Sequence, residues 1–168
     1  MNVKPSMGFM EAVKTCYSKY FNFQGRARRS EFWWFYLLSI VVNSVLFGII
    51  SIMHSSAAES FGKGITLDNF SEKLDEATAL DAKFQLYYII TGVACLFLFS
   101  IPLIAAQVRR LHDVGKSGHL MWLCLLCGIG GLVPLILCIP DGQPQQNQYG
   151  PSPKYETDTQ QPAEPPFM

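Results

Sequence analysis

Three stretches of this chain, residues 32–53, 84–108 and 120–139, contain no Asp, Glu, Lys or Arg, so all 13 basic and 13 acidic residues are confined to the remainder. As helices rising 1.5 Å per residue, each stretch is about 30 Å or longer, the thickness of a bilayer's hydrocarbon core. Buried helices of soluble proteins run shorter and keep a polar stripe. The pattern predicts an all-α, small polytopic membrane protein with three transmembrane helices over those ranges and a loop over 54–83. Charged residues make up 15% of the chain and hydrophobic ones 49%, which excludes intrinsic disorder over most of its length. The formal net charge is zero, which removes the bulk electrostatic case for a nucleic-acid partner.

Orientation follows from Lys and Arg. Residues 1–31 hold six (Lys4, Lys14, Lys19, Arg26, Arg28, Arg29), 54–83 three, 109–119 three and the tail one, Lys154. The positive-inside rule then puts the N-terminus and the 109–119 loop in the cytoplasm. Three crossings leave the tail outside. A third run interrupted by Gly128, Gly130, Gly131 and Pro134 that re-entered would leave it inside. The 22-residue first run follows 31 residues, which suits an uncleaved anchor better than a signal peptide.

Residues 9–21 place Phe9, Met10, Val13, Cys16, Tyr17, Tyr20 and Phe21 on one side and Glu11, Lys14, Thr15, Ser18 and Lys19 on the other. This spacing predicts an N-terminal amphipathic helix lying in the membrane interface. Ser30 is placed to cap the first span, Glu31 to complement its dipole, and Trp33, Trp34 and Tyr36 to form an aromatic belt. The 54–83 loop carries six acids and a second amphipathic helix near 67–80, without calcium-loop spacing. A single integral membrane domain is expected over 1–153, followed by a disordered tail over 154–168 rich in Pro and Gln.

Chemistry-bearing motifs are few. Cys124-x-x-Cys127 lies inside the third run, where Cys124 with Gly128 and Cys127 with Gly131 read as small-x-x-x-small packing steps before they read as a redox pair. Cys16, Cys95 and Cys138 form no disulfide framework. The loop 109–118 reads Arg-Arg-Leu-His-Asp-Val-Gly-Lys-Ser-Gly. His112, Asp113 and Ser117 are too close in sequence to converge as a triad, and no zinc-protease, nucleophile-elbow or P-loop pattern occurs. No catalytic residue, metal site or cofactor is therefore expected.

Two basic clusters remain: Arg26, Arg28 and Arg29 ahead of the first span, and Arg109, Arg110 and Lys116 after the second. Topology alone accounts for cations at these helix ends. The functional reading is a cytoplasmic lipid- or anion-binding cluster, each cation attracted to anionic head groups by about 1 kcal/mol before pairing with Glu31 and Asp113 reduces it. A structural or lipid-interacting protein, with anionic membrane lipids as partners and assembly as a homo-oligomer or complex subunit, accounts for these features. A channel or transporter ranks second, since the spans offer only Asn43, Gln85, Gln107 and hydroxyls, and an enzyme built on His112 and Asp113 ranks last. Asn43, in mid-span, is expected to hydrogen-bond to another helix.

Three segments in order complete the picture: Phe23-x-Gly25-Arg26-Ala27-Arg28-Arg29-Ser30-Glu31-Phe32-Trp33, then 109–118, then Gly142-x-Pro144 with Asn147-x-Tyr149-Gly150-Pro151-x-Pro153. From about residue 17 to 153 the chain resembles the bacterial inner-membrane family catalogued as domain of unknown function 805, the YhaH-like proteins. The resemblance implies a small multi-span protein of the bacterial inner membrane, without an established activity. It marks Gly25, Glu31, Trp33, His112, Asp113, Gly115, Ser117, Gly118, Asn147 and Gly150, beside the arginines, as positions that matter. His119 stands where the family usually has Trp, and Gln145 and Gln148 where Gly and Arg are frequent.

Overall fold

The computed structural model describes residues 3–63, 65–125 and 132–155. Among them every regular element is a helix, with only isolated bridges at Val3–Tyr155 and Asn147–Gly150 in place of strands. The elements are α1 (Phe9–Ser18), α2 (Arg29–Gly62), a 3₁₀ turn (Leu67–Asn69), α3 (Phe70–Cys95), a π-helical segment (Leu96–Ser100), α4 (Ile101–Asp113), a 3₁₀ segment (Gly118–Leu125) and α5 (Leu132–Leu137). They fall into two compact units, one of Met1–Tyr36 with Ile101–Met168, the other of Leu37–Ser100.

The Leu37–Ser100 unit holds most of the first two charge-free runs. Two helical stretches, Arg29–Gly62 and Phe70–Asp113, are long and apolar enough to cross a membrane. Their apolar side chains are largely uncovered: Val45, Ile49 and Ile52 on α2 and Ile89, Ile90 and Val93 on α3 are about half exposed or more. In water such a surface would drive aggregation, whereas lipid satisfies it without further protein. The expected 54–83 loop is mostly helical, because α2 runs on to Gly62 and α3 begins at Phe70. Thr66 and Asn69 form a capping box there, the Asn69 side chain accepting from the Thr66 amide at 2.7 Å. Beyond the apolar stretches, His54 lies 3.0 Å from Asp81 and stacks on Phe84.

Asn43 does not reach another helix: its amide donates to the Ser39 carbonyl one turn back, at 2.7 Å. A donor inside an apolar span finds satisfaction most cheaply on its own backbone. The π segment directly precedes Pro102, which lacks an amide hydrogen and whose ring displaces the carbonyl four residues earlier.

In the other unit, α1 packs on α4. Ala12 and Cys16 are its buried positions, while Met10 and Phe21 beyond its end remain exposed. Phe9 and Tyr17 meet Trp34 and Phe35 edge-on, with centroids 5.8 and 5.4 Å apart. Three of the aromatics assigned to a membrane belt or interface, Phe9, Tyr17 and Trp34, thus carry intramolecular contacts as well.

The third charge-free run is described at its two ends. It begins in the 3₁₀ segment and ends in the six-residue α5, with Pro134 inside it. Gly118, two residues ahead of the run, and Cys138 near its end both pack on α4: a Cβ on Gly118 would stand 2.8 Å from Val108, and the Cys138 carbonyl accepts from Arg110 Nε at 3.2 Å. Cys127, Gly128, Gly130 and Gly131 lie outside the described residues, as does most of the tail expected to be disordered. The cysteine and glycine spacing read there is therefore left as sequence pattern.

Candidate functional site: an arginine–carboxylate lattice

All the motif residues belong to the first unit, and the site they build starts from a turn. Gly25 takes a φ of 82°, a region closed to most side chains, and the turn lets the Ala27 amide donate to the Arg109 carbonyl at 3.1 Å. That bond sets Arg26 against the end of α4. Arg26 Nε donates to Asp113 Oδ1 at 2.8 Å and Nη1 to the Gln145 carbonyl at 2.8 Å. Further bonds run to the carbonyls of Gly150, Asp113 and Gln143. With a side chain only 1% exposed, Arg26 is a buried cation held by one carboxylate and the backbone of the tail.

Arg109 and Arg110 follow the same logic from the neighbouring helix. Arg109 Nη1 donates to Glu31 Oε1 at 2.6 Å, and its Nε turns back to Ala105 at 3.2 Å. Arg110 binds the second Asp113 oxygen and the carbonyls of Cys138 and Pro140. Asp113 thus bridges Arg26 and Arg110, one oxygen for each. Glu31 does more than complement a helix dipole, since its carboxylate is the counter-ion of Arg109. Carboxylates and backbone carbonyls together take up most of the donors of these three guanidinium groups, while Arg109 Nη2 is buried without a hydrogen-bond partner. A buried charge left without such partners costs several kcal/mol, which is why the sequence supplies carboxylates and carbonyls together.

The rest of the 109–118 motif shapes the end of α4. Gly115, at φ 77°, ends it in a Schellman motif, with Lys116 N donating to Leu111 O at 2.8 Å and Gly115 N to His112 O at 3.0 Å. His112 stacks flat on Tyr149, centroids 3.8 Å apart, and its Nδ1 donates to the Gly25 carbonyl at 3.2 Å. Gly118 lets the chain pass close to Val108 and His112. Ser117 Oγ meets His119 Nδ1 at 2.9 Å on the surface, while the Asp113 oxygens are taken by Arg26 and Arg110. Trp33 packs on Phe32 and Tyr36 beside the lattice residues of α2.

The tail closes the arrangement. Asn147 donates to the His112 carbonyl at 2.9 Å, and it forms with Gly150 a turn whose φ of 122° at Gly150 requires glycine. Gln143 N reaches the Asp113 carbonyl at 2.9 Å, and Gly142 lies so close to the Asp113 carboxylate that a Cβ would overlap it.

Arg28, Arg29 and Lys116 sit outside this core. Arg28 donates to the carbonyls of Pro5 and Lys4 at 2.6 and 3.0 Å. Arg29 donates to Ile139 O and pairs with Asp141 at 3.1 Å, and Lys154 pairs with the same carboxylate at 3.2 Å. Burial nudges the Asp141 carboxyl upward, but the Lys154 hydrogen bond and the Arg29 charge outweigh it and hold the group below its ordinary value. Lys116 is exposed. Asp141, Lys154 and the tail carbonyls were not marked by the sequence. No group of three or more His, Cys, Asp or Glu able to hold a metal occurs among the described residues.

A small helical protein with apolar stretches of membrane-spanning length, joined in sequence to a buried arginine–carboxylate lattice, is the class this structure defines. The chain matches the family described as "Protein of unknown function (DUF805)" over residues 20–151, and it belongs to that family. It is 31% identical over 137 residues to the inner membrane protein YhaH of Escherichia coli (strain K12), covering 82% of this chain and 91% of that protein. It is 30% identical over 136 residues to the inner membrane protein YhaI of the same strain, covering 81% and 89%. No solved structure matches it.

Proposed function

We propose that this protein is a structural, lipid-interacting component of the inner membrane, crossing it twice, with both termini and the lattice on the cytoplasmic side. The observation that carries the lipid reading is the split among the cations of the lattice and its rim. Arg26, Arg109 and Arg110 are buried and bound within the chain, whereas the Arg29 side chain stays 43% exposed and that of Lys154 33%. Rim cations beside apolar segments are what anionic head groups attract. α1, with Met10 and Phe21 exposed, then lies in the interface on the same side.

Two crossings follow from the third run. A crossing helix would separate its ends by about 30 Å. Here Gly118 and Cys138 both pack on residues 108–112 of α4, which supports a re-entrant segment. The Val3–Tyr155 bridge and the bond from Lys4 N to Lys154 O at 3.0 Å likewise support termini on one side.

Extraction of the protein with its native lipids, followed by lipid identification, tests the reading. Enrichment of anionic over zwitterionic lipid relative to the bulk membrane is the expected result. Co-purified lipid of bulk composition would refute it.

A further inference from the structure

Beside the lattice lies a cleft of about 190 Å³, whose walls include Arg28, Arg29, Ser30, Asp141 and Lys154. We propose that this cleft binds a phosphate group, and that Asp141 is its built-in competitor, a carboxylate standing where phosphate oxygens bind. The proposal deepens the lipid reading above and rests on it for the source of the phosphate.

Charge supports it first. Four cations and two carboxylates face the cleft, but Asp113 is consumed by Arg26 and Arg110. What remains is Arg28, Arg29 and Lys154 against Asp141 alone, a surplus of two positive charges that favours a bound anion. Geometry supports it next. Arg29 Nη1 and Lys154 Nζ, from opposite parts of the chain, converge on the same Asp141 oxygen at 3.1 and 3.2 Å. A carboxylate oxygen held by two cations is a stand-in for a phosphate oxygen. The Asp141 side chain is 52% exposed, so it can swing into solvent without leaving a buried charge behind. Arg28 uses two of its five N–H donors on the carbonyls of Lys4 and Pro5, which fix the guanidinium plane and leave the others for a ligand. A phosphate offers more oxygens and more charge than Asp141 to such planar donors.

The test uses the full-length protein, with inorganic phosphate in detergent and with phosphatidylglycerol in mixed nanodiscs as separate probes. Asp141→Asn should raise retention of the bound anion roughly two- to fivefold, the span of an exposed ion pair. Lys154→Gln and Arg28→Lys should lower it by a similar factor, with the unfolding temperatures of all three compared to verify folding. If wild type retains phosphatidylglycerol and none of the variants changes that, head groups bind elsewhere: the cleft proposal is overturned and the lipid reading stands. If the variants shift phosphate binding as described but phosphatidylglycerol is held no better than zwitterionic lipid, the cleft stands for free phosphate and the lipid reading fails. Weaker anion binding in Asp141→Asn would overturn the competitor role.

Discussion

Arg109 Nη1 stands 2.6 Å from Glu31 Oε1, and the two side chains are 0% and 3% exposed. Sealed from water, each charge depends on the other. Glu31→Gln should therefore cost about 3–5 kcal/mol, because it strands the Arg109 charge. The double variant Glu31→Met, Arg109→Met should recover most of that loss, since removing both charges abolishes the desolvation penalty. Denaturant unfolding in detergent measures both, and a single-variant loss below about 1 kcal/mol would mean the pair is not sealed.

Glycine positions predict effects of opposite sign. Gly142→Ala pushes a methyl into the Asp113 carboxylate and should destabilise by about 1–3 kcal/mol. Gly48 lies inside α2 with nothing within 4 Å of an added Cβ, so Gly48→Ala should stabilise by up to about 1 kcal/mol. Thermal melts in one detergent compare the two, and equal shifts would contradict the packing around Gly142.

Cys16 offers a chemical probe of α1. Burial, then the Glu31 charge, push its thiol up to about 12, so the reactive thiolate is scarce at pH 8. Alkylation of Cys16, followed by mass spectrometry, should be negligible in the folded protein and complete on denaturation. Rapid labelling of the folded protein would show that α1 does not stay docked on α4.

Topology can be read with impermeant thiol reagents in a background lacking the native cysteines. Ser71→Cys should label from the periplasmic side, and Lys116→Cys and Tyr155→Cys only after permeabilisation. External labelling at Tyr155→Cys would restore a three-span arrangement with the tail outside.

The apolar helices could be read directly from the sequence, since a run of some twenty uncharged residues has few alternatives. The motif residues could be named but not their partners. Glu31 looked like a dipole complement because its neighbour in space, Arg109, is 78 residues away. The carbonyls of Gln143, Gln145 and Pro140 hold Arg26 and Arg110, yet every residue has a carbonyl, so no side-chain pattern could mark them. Pro134 and the neighbouring glycines marked where a re-entrant third run would be interrupted, but the contacts that Gly118 and Cys138 make with α4 are not encoded in composition. Asp141 and Lys154 went unmarked because each is an isolated charge in a proline-rich tail.

The tail bonds of Arg26 also set an order of events during synthesis. Gln143, whose carbonyl Arg26 needs, is made 117 residues later. At ribosomal speeds of about 5–20 residues per second, that is a wait of roughly 6–23 s. Both apolar stretches of membrane-spanning length have been synthesised by then. The cation has no tail partner until the last fifth of the chain arrives, so a ribosome stalled before that point leaves a product whose arginines lack those carbonyls.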